Sequence, residues 1–128
     1  MKVPDDPLYA ADARKWRSWL KANHSSAPEV WLVFYKKRSG KPDYTPRPCV
    51  TFEEATEEAL CYGWVDSAMR RLDDERYVLR YTPRRKGSKW SKTNRRLAEE
   101  LIGRGRMTAA GMAAIEEARR NGNWEAAR

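Results

Sequence analysis

Apolar side chains recur along the chain with two different periods, and the period predicts which segments are helices and which are strands. Helical spacing begins after Asp12, which can cap a helix that runs to about Asn23 with Trp16 and Leu20 on one side. The segment 30–35 (VWLVFY) is instead continuously apolar, β-branched and aromatic. Such a run is typical of a strand that is covered on both faces, so we predict a central strand here.

The middle of the chain predicts a second helix followed by a hairpin. Thr51 and Glu54 have the spacing of a capping box, in which each side chain bonds the backbone amide of the other. The helix then runs to Tyr62 and ends at Gly63, a residue suited to a left-handed cap. Two strand-like segments follow and are separated by the turn residues 72–75. We therefore predict a β-hairpin with strands at 64–69 and 76–82.

Two further helices are predicted at the C-terminal end. Pro83 ends the hairpin, and either Ser88 or Ser91 caps a helix that reaches about Ile102. Thr108 caps the next helix, which stops at 121–122, where Asn and Gly follow each other. We expect Trp124 to fold back onto these helices as a final anchor.

The order of elements predicts an α+β fold, in which a small, mostly antiparallel sheet of three or more strands packs with about four helices. A chain of 128 residues is the length of one domain. We expect a single domain over 1–128, with an N-terminal arm at 1–8. The segment 38–48, which contains Gly40 and three prolines, is predicted to be a long basic loop.

Composition excludes several classes of protein. No segment approaches the roughly 18 uninterrupted apolar residues of a membrane span. The N-terminus also lacks the apolar run of a secretory signal, so we expect a cytoplasmic protein. The spacing of Cys49 and Cys61 alone allows a disulfide, but reduced thiols are the default in a cytosol. Cys61 lies in an apolar helix end and is expected to be an inert core residue.

The net charge of +8 is concentrated in one segment. Residues 84–106 contain nine Lys or Arg and two Glu, which gives +7 and leaves +1 for the other 105 residues. Such clustering favours an anionic partner, with nucleic acid ahead of an acidic protein. A solvated face that only keeps the protein soluble is the alternative.

This segment has the chemistry of an anion site, because a flexible basic loop precedes a helix N-terminus. Gly87 lets backbone approach a ligand closely. Trp90 could stack on a base, although its helical spacing favours core packing. The residues predicted to contact an anion or nucleic acid are Arg84, Arg85, Lys86, Ser88, Lys89, Lys92, Arg95 and Arg96.

Other chemistry has little support in the sequence. His24 is the single histidine and is expected to be solvent-exposed, and the cysteines lack the spacing of a zinc site, so we predict neither metal nor cofactor. Ser67 beside Asp66 is no catalytic triad without a base. For Asp66 a structural role, as an ion pair with Arg80 or Arg84 or as a cap for neighbouring amides, is favoured over ligand binding, and a catalytic role comes third.

Two long ordered runs carry a resemblance to a known family. They are 59–67 (ALCYGWVDS) and 81–94 (YTPRRKGSKWSKTN), and shorter similar runs lie at 16–20, 30–33 and 105–107. Over about residues 9–128 the chain resembles the YdeI/OmpD-associated family of small bacterial proteins. The resemblance implies association with an outer-membrane porin or protection from bacteriocins. It implies no catalytic residue.

Three hypotheses about function follow. The first is a binding module whose surface at 84–106 contacts an anionic partner, and it assigns no catalytic residue. The second is a small-ligand or enzymatic pocket formed by the two long runs, with Trp64, Asp66, Ser67, Trp90 and Asn94 as its residues beside Arg84 and Ser88. The third is a stress-related adaptor between proteins. The sequence does not indicate the oligomeric state.

Overall fold

The computed structural model describes residues 2–37 and 46–128. Most of the predicted basic loop at 38–48 lies outside these residues. The elements in chain order are α1 (Ala13–Asn23), β1 (Val30–Tyr35), α2 (Phe52–Cys61), β2 (Trp64–Arg71), β3 (Arg76–Pro83), α3 (Lys92–Gly103) and α4 (Ala109–Asn121). These are four helices and a three-stranded antiparallel sheet, which confirms the predicted α+β class.

The helices begin where short polar side chains can accept from free backbone amides. Asp12 accepts from the amide of Lys15 at 2.9 Å, and Thr51 and Glu54 form the predicted capping box. Ser91, rather than Ser88, caps α3 and accepts from the amide of Asn94 at 3.0 Å. The local sequence thus determines these starting points.

The strand order corrects one prediction, because the strands lie in the order β1-β3-β2 and the central strand is therefore β3. β1 was predicted to be central, yet it pairs with β3 along one side, and along the other it meets, among the described residues, only an isolated bridge from Leu8. A strand that is covered on both faces has a continuously apolar sequence whether it lies at the centre or at the edge of a sheet, so the sequence of β1 does not distinguish the two positions. Leu8 donates to the carbonyl of Trp31 at 2.8 Å and accepts from the amide of Val33 at 2.9 Å. The predicted N-terminal arm thus reaches the sheet edge.

The hairpin of β2 and β3 contains an irregularity beside Ser67. The register shifts between Asp66, which pairs with Tyr81, and Ala68, which pairs with Arg80. A bulge inserts an extra residue and turns local side chains away from strict alternation. Asp66 and Ser67 are both exposed as a result.

Two main groups of buried side chains hold the fold together. The first lies between the sheet and the helices α1 and α2, with Trp16, Leu32 and Tyr81 among its members. The second lies among α3, α4 and the end of α2, and includes Leu101 and Ile115. Trp124 belongs to this second group with 3% of its surface exposed, as predicted, so the chain after α4 folds back onto the helices.

The close approach of α4 to the end of α2 depends on Gly111. A Cβ added at this position would overlap the carbonyl oxygen of Cys61 and the Sδ atom of Met107. The hydroxyl of Thr108, the cap of α4, donates to the same Cys61 carbonyl. Gly63 adopts a φ of 74° next to this contact, a left-handed conformation that favours glycine. Together these contacts place α4 beside the start of β2.

Glu58 is a buried acid that ties three parts of the chain together, and its side chain is only 3% exposed. It accepts from Arg17 of α1 at 2.9 Å and 2.7 Å and from Arg106 at 2.6 Å. A carboxylate buried without such partners would be costly. No local sequence pattern indicates this network, because Arg17 and Arg106 lie 41 and 48 positions from Glu58 along the chain.

The sequence also predicts that no segment spans a membrane and that the cysteines are reduced. Within 2–37 and 46–128, no helix has the length and hydropathy needed to cross a membrane. Cys49 and Cys61 are both free thiols. Cys61 is 2% exposed, in agreement with the predicted core position, and burial raises its pKa to about 11.

Candidate anion-binding cleft

A cleft of about 470 Å³ lies between the end of the hairpin, the loop 84–90 and α4. Its size is within the range of small-ligand sites, which are roughly 300–1,000 Å³. We call it the Arg84 cleft. The predicted site residues that line it are Trp64, Arg84, Arg85, Lys86, Ser88 and Trp90.

Arg84 enters the cleft because it follows the last residue of β3. Its amide donates to the carbonyl of Gly63 at 2.8 Å, which continues the pairing of the hairpin by one step. The guanidinium carbon then lies 3.8 Å from the centroid of the Trp90 ring. This cation–π contact fixes one face of the guanidinium.

The guanidinium of Arg84 has donors that the protein does not use. Its Nη1 donates to the carbonyl of Lys89 at 3.2 Å, whereas its Nε is buried without a hydrogen-bond partner. Burial lowers the pKa of Arg84 to about 10, and the negative charge of Asp66 acts in the opposite direction. Arg84 therefore remains charged at neutral pH. Within the described parts of the chain, it forms no ion pair.

The loop that carries Arg84 is held by the C-terminal end of α4. The side-chain amide of Asn121 donates to the carbonyl of Lys86 at 2.6 Å. That of Asn123 donates to the carbonyls of Gly87 at 3.3 Å and Ser88 at 3.0 Å. These bonds fix the backbone of the loop before any ligand binds, which reduces the entropy lost on binding.

Small side chains of α4 are part of the lining of the cleft. They are Ala110, Ala113 and Ala114. Glu117 and Arg120 also line the cleft, and their side chains pair with each other at 2.6 Å. The lining therefore combines apolar surface with the cations of the loop.

His24 and Tyr62 line the same cleft, although the sequence did not place them there. The amide of His24 donates to the carbonyl of Leu20 at 2.8 Å, and its Nδ1 lies 2.9 Å from the same oxygen. The His24 carbonyl accepts from Nε1 of Trp64 at 3.3 Å. His24 is half-buried rather than an ordinary exposed histidine. Trp64, which bonds its carbonyl, lies 40 positions away along the chain, so no local sequence pattern indicates that His24 is part of a cleft.

The structure divides the predicted pocket residues into two groups. Trp64 and Trp90 line the Arg84 cleft but are only 1% and 6% exposed, so both belong mainly to the core. Asp66 and Ser67 are exposed on β2, and Asn94 lies in the first turn of α3. These three residues do not line the cleft.

The ion pair predicted for Asp66 is not formed with either arginine. Arg80 pairs instead with Glu29 at 2.7 Å, and its Nη1 also lies 3.4 Å from the hydroxyl of Ser67. The bulge turns the Asp66 carboxylate toward solvent, where it acts on Arg84 only electrostatically.

Apart from Arg84, the eight cations of the basic segment 84–106 divide into two groups. Arg95, Arg104 and Arg106 pair with acids; Arg95 contacts Glu99 and Glu125 at 3.6 Å each, and Arg104 contacts Glu57 at the same distance. Five other cations are exposed and have no ion pair within the described ranges, namely Arg85, Lys86, Lys89, Lys92 and Arg96.

Among residues 2–37 and 46–128, no three His, Cys, Asp or Glu side chains form a group that could hold a metal ion. The chemistry that the cleft offers is charge from Arg84 and its neighbours, hydrogen bonding from His24 and Ser88, and apolar contact with α4.

The fold and the cleft define a small α+β protein in which a half-buried arginine, without an ion pair among the described residues, lines an open site. The chain belongs to the family described as a domain of unknown function, DUF8412, whose model matches residues 8–114. Comparison with curated proteins and with solved structures gave no match. The resemblance to YdeI/OmpD-associated proteins therefore stays a prediction.

Proposed function

We propose that this protein is a binding module for a small anionic ligand, which it holds in the Arg84 cleft. The observation that carries the proposal is the state of Arg84, a half-buried residue whose Nε is buried without a hydrogen-bond partner and which forms no ion pair with a described acid. A buried charge without a partner is costly and is rare in proteins without a reason. An anionic ligand would supply the missing partner.

The surroundings of Arg84 support the same conclusion. Arg85 and Lys86 also line the cleft, and the charge of Arg120 is balanced by Glu117. The cleft therefore carries a net charge of about +3, which attracts anions over a distance of roughly one Debye length. The loop is held in place by Asn121 and Asn123. The proposal assigns no catalytic residue.

A cytoplasmic location is part of this proposal. The free thiols of Cys49 and Cys61 support it, because a reducing compartment keeps cysteines in that form. The YdeI/OmpD-associated role in bacteriocin protection, and an adaptor role between proteins, are separate proposals that rest on the sequence runs alone.

The test is a titration of the purified protein with benzoate, phenyl phosphate and neutral phenol. Trp64 and Trp90 line the cleft, so intrinsic fluorescence reports occupancy, and amide chemical shifts locate the site. We expect at least one anion to bind and phenol to bind far more weakly. The Arg84→Gln variant should lose at least about tenfold in affinity, since a hydrogen bond to a charged group contributes about 1.5–3 kcal/mol.

Arg96→Gln is the matched control. Arg96 is equally cationic and lies in the same basic segment, but it does not line the cleft. Its replacement should leave affinity for the small anions unchanged. If neither anion binds, or if both variants weaken binding equally, the proposed function is wrong.

Nucleic acid is the second candidate partner, and the five exposed cations without ion pairs favour it. Binding of this kind releases counterions, so it would weaken steeply between low and physiological salt. Labelled single- and double-stranded DNA and RNA test it directly. Here Arg96→Gln and Lys92→Gln should reduce affinity as much as Arg84→Gln does, which separates a polyanion surface from a small-anion cleft.

A further inference from the structure

We infer that the ligand of the Arg84 cleft is a phosphomonoester, in which a dianionic phosphate head is attached to an apolar body. The inference rests on the proposed function and names the chemical class of the ligand. Three features of the cleft lead to it, namely the guanidinium of Arg84, the number of cations that line the cleft with it and the apolar residues in the same lining.

The guanidinium of Arg84 offers charge and N–H donors to a ligand. Trp90 covers one face and the Lys89 carbonyl accepts from Nη1, while Nε is buried without a hydrogen-bond partner in the described chain. The planar guanidinium suits the oxygens of a carboxylate or a phosphate. Arg84 therefore selects an oxyanion, but by itself it does not separate these two.

The charge around Arg84 favours the phosphate. Arg85 and Lys86 also line the cleft and are exposed, while Arg120 is paired with Glu117. A carboxylate carries one charge and two oxygens, which Arg84 alone would satisfy. A phosphate ester carries a charge of about −1.5 to −2 at neutral pH and has three terminal oxygens. The third oxygen and the second charge fit Arg85 and Lys86.

The apolar residues of the lining indicate that the phosphate belongs to a larger molecule. Ala110, Ala113 and Ala114 of α4 and Pro83 of β3 line the cleft with apolar surface. Inorganic phosphate would leave this surface in contact with water. An apolar body attached to the phosphate would cover it, and such burial contributes about 25 cal/mol per Å².

The experiment compares phenyl phosphate, benzoate and inorganic phosphate by calorimetry at pH 7.5 and pH 5.5. We expect phenyl phosphate to bind at least about tenfold more tightly than either of the others at pH 7.5. Because the second pKa of a phosphate ester is about 6, its dianion is the minor form at pH 5.5. The advantage over benzoate should therefore shrink severalfold at the lower pH.

Lys86→Gln and Arg85→Gln give a second readout. Each variant should weaken the binding of phenyl phosphate several-fold and leave the affinity for benzoate unchanged. Arg84→Gln should weaken the binding of both ligands, and Arg96→Gln should weaken neither. If benzoate or inorganic phosphate binds as tightly as phenyl phosphate at pH 7.5, the inference of a phosphomonoester ligand is wrong. The proposed anion-binding function would not be affected by that result. If none of the three probes binds, the proposed function fails as well.

Discussion

The guanidinium of Arg84 lies 3.8 Å above the ring of Trp90, so the cation that faces the cleft rests on a side chain of the core. A contact of this kind stabilises a protein by about 0.5–2 kcal/mol. It offsets part of the cost of burying Arg84, which has no acidic partner among the described residues. The arrangement keeps a charged donor ready at the wall of the cleft.

Replacement of Arg84 by methionine tests whether this charge serves binding rather than stability. Arg84→Met removes the cation–π contact but also the unpaired buried charge, so the free energy of unfolding should change by less than about 1 kcal/mol. Anion binding should be lost. Urea denaturation and fluorescence titration measure the two effects separately.

Arg17→Met is the matched control for this variant. Arg17 donates twice to the buried Glu58. Its loss should lower the free energy of unfolding by about 2 kcal/mol. If Arg84→Met were as destabilising as Arg17→Met, Arg84 would be a structural residue.

Glu58 should be essential for stability. Glu58→Gln removes the charge that pairs with Arg17 and Arg106 and leaves two guanidinium groups against a neutral amide. We expect the free energy of unfolding to fall by about 3 kcal/mol. Glu57→Gln is the control, because its pair with Arg104 is longer, at 3.6 Å, and lies nearer the surface. That variant should change stability by less than about 1 kcal/mol, and equal effects in urea would contradict the role of Glu58.

Gly111 should not tolerate alanine although it lies within a helix. Alanine favours a helix over glycine by about 1 kcal/mol. The added methyl would overlap the Cys61 carbonyl, so Gly111→Ala should destabilise the protein by about 1–3 kcal/mol and lower its melting temperature. Gly103→Ala, at the end of α3, has open space around the new methyl and should be neutral or slightly stabilising. Equal melting temperatures for the two variants would disprove the close packing of α4 against α2.

Asn123 should affect binding more than folding. Its side-chain amide holds the carbonyls of Gly87 and Ser88, on an exposed loop. Asn123→Ala should therefore lower affinity for phenyl phosphate severalfold, because the loop must then be ordered when the ligand binds. Thermal stability should fall by only a few degrees. Unchanged affinity would mean that the loop is fixed without this residue.

Cys61 should be inert at neutral pH. Burial raises its pKa from 9.0 to about 11, so about one molecule in a thousand carries the reactive thiolate at pH 8. Iodoacetamide should modify Cys61 in urea but hardly at all in the native protein, as mass spectrometry can measure. Because the unfolded thiol ionises at a lower pH than the folded one, the free energy of unfolding should fall as pH rises from about 9 toward 11. Rapid labelling of native Cys61 at pH 8 would contradict this.

Much of the fold could be predicted because it depends on residues close together in the chain. The capping box of Thr51 and Glu54 spans three positions, and the hairpin turn at 72–75 joins adjacent strands. Helix starts, turns and apolar periodicity are local properties, and these gave the α+β class. The order of the strands was not local, so the position of β1 at the edge was missed.

The site was predicted only in part for the same reason. The sequence alone determined that cations concentrate at 84–106 and that a loop there leads into a helix. The tertiary structure decided which of those cations are available, since Arg95, Arg104 and Arg106 meet acids whereas Arg84 meets Trp90 and an open cleft. It also brought His24 and α4 to that cleft from distant parts of the chain. The sequence alone determines how many charges a segment carries. Whether a charge is paired depends on which side chains from distant parts of the chain come within a few ångströms of it when the protein folds.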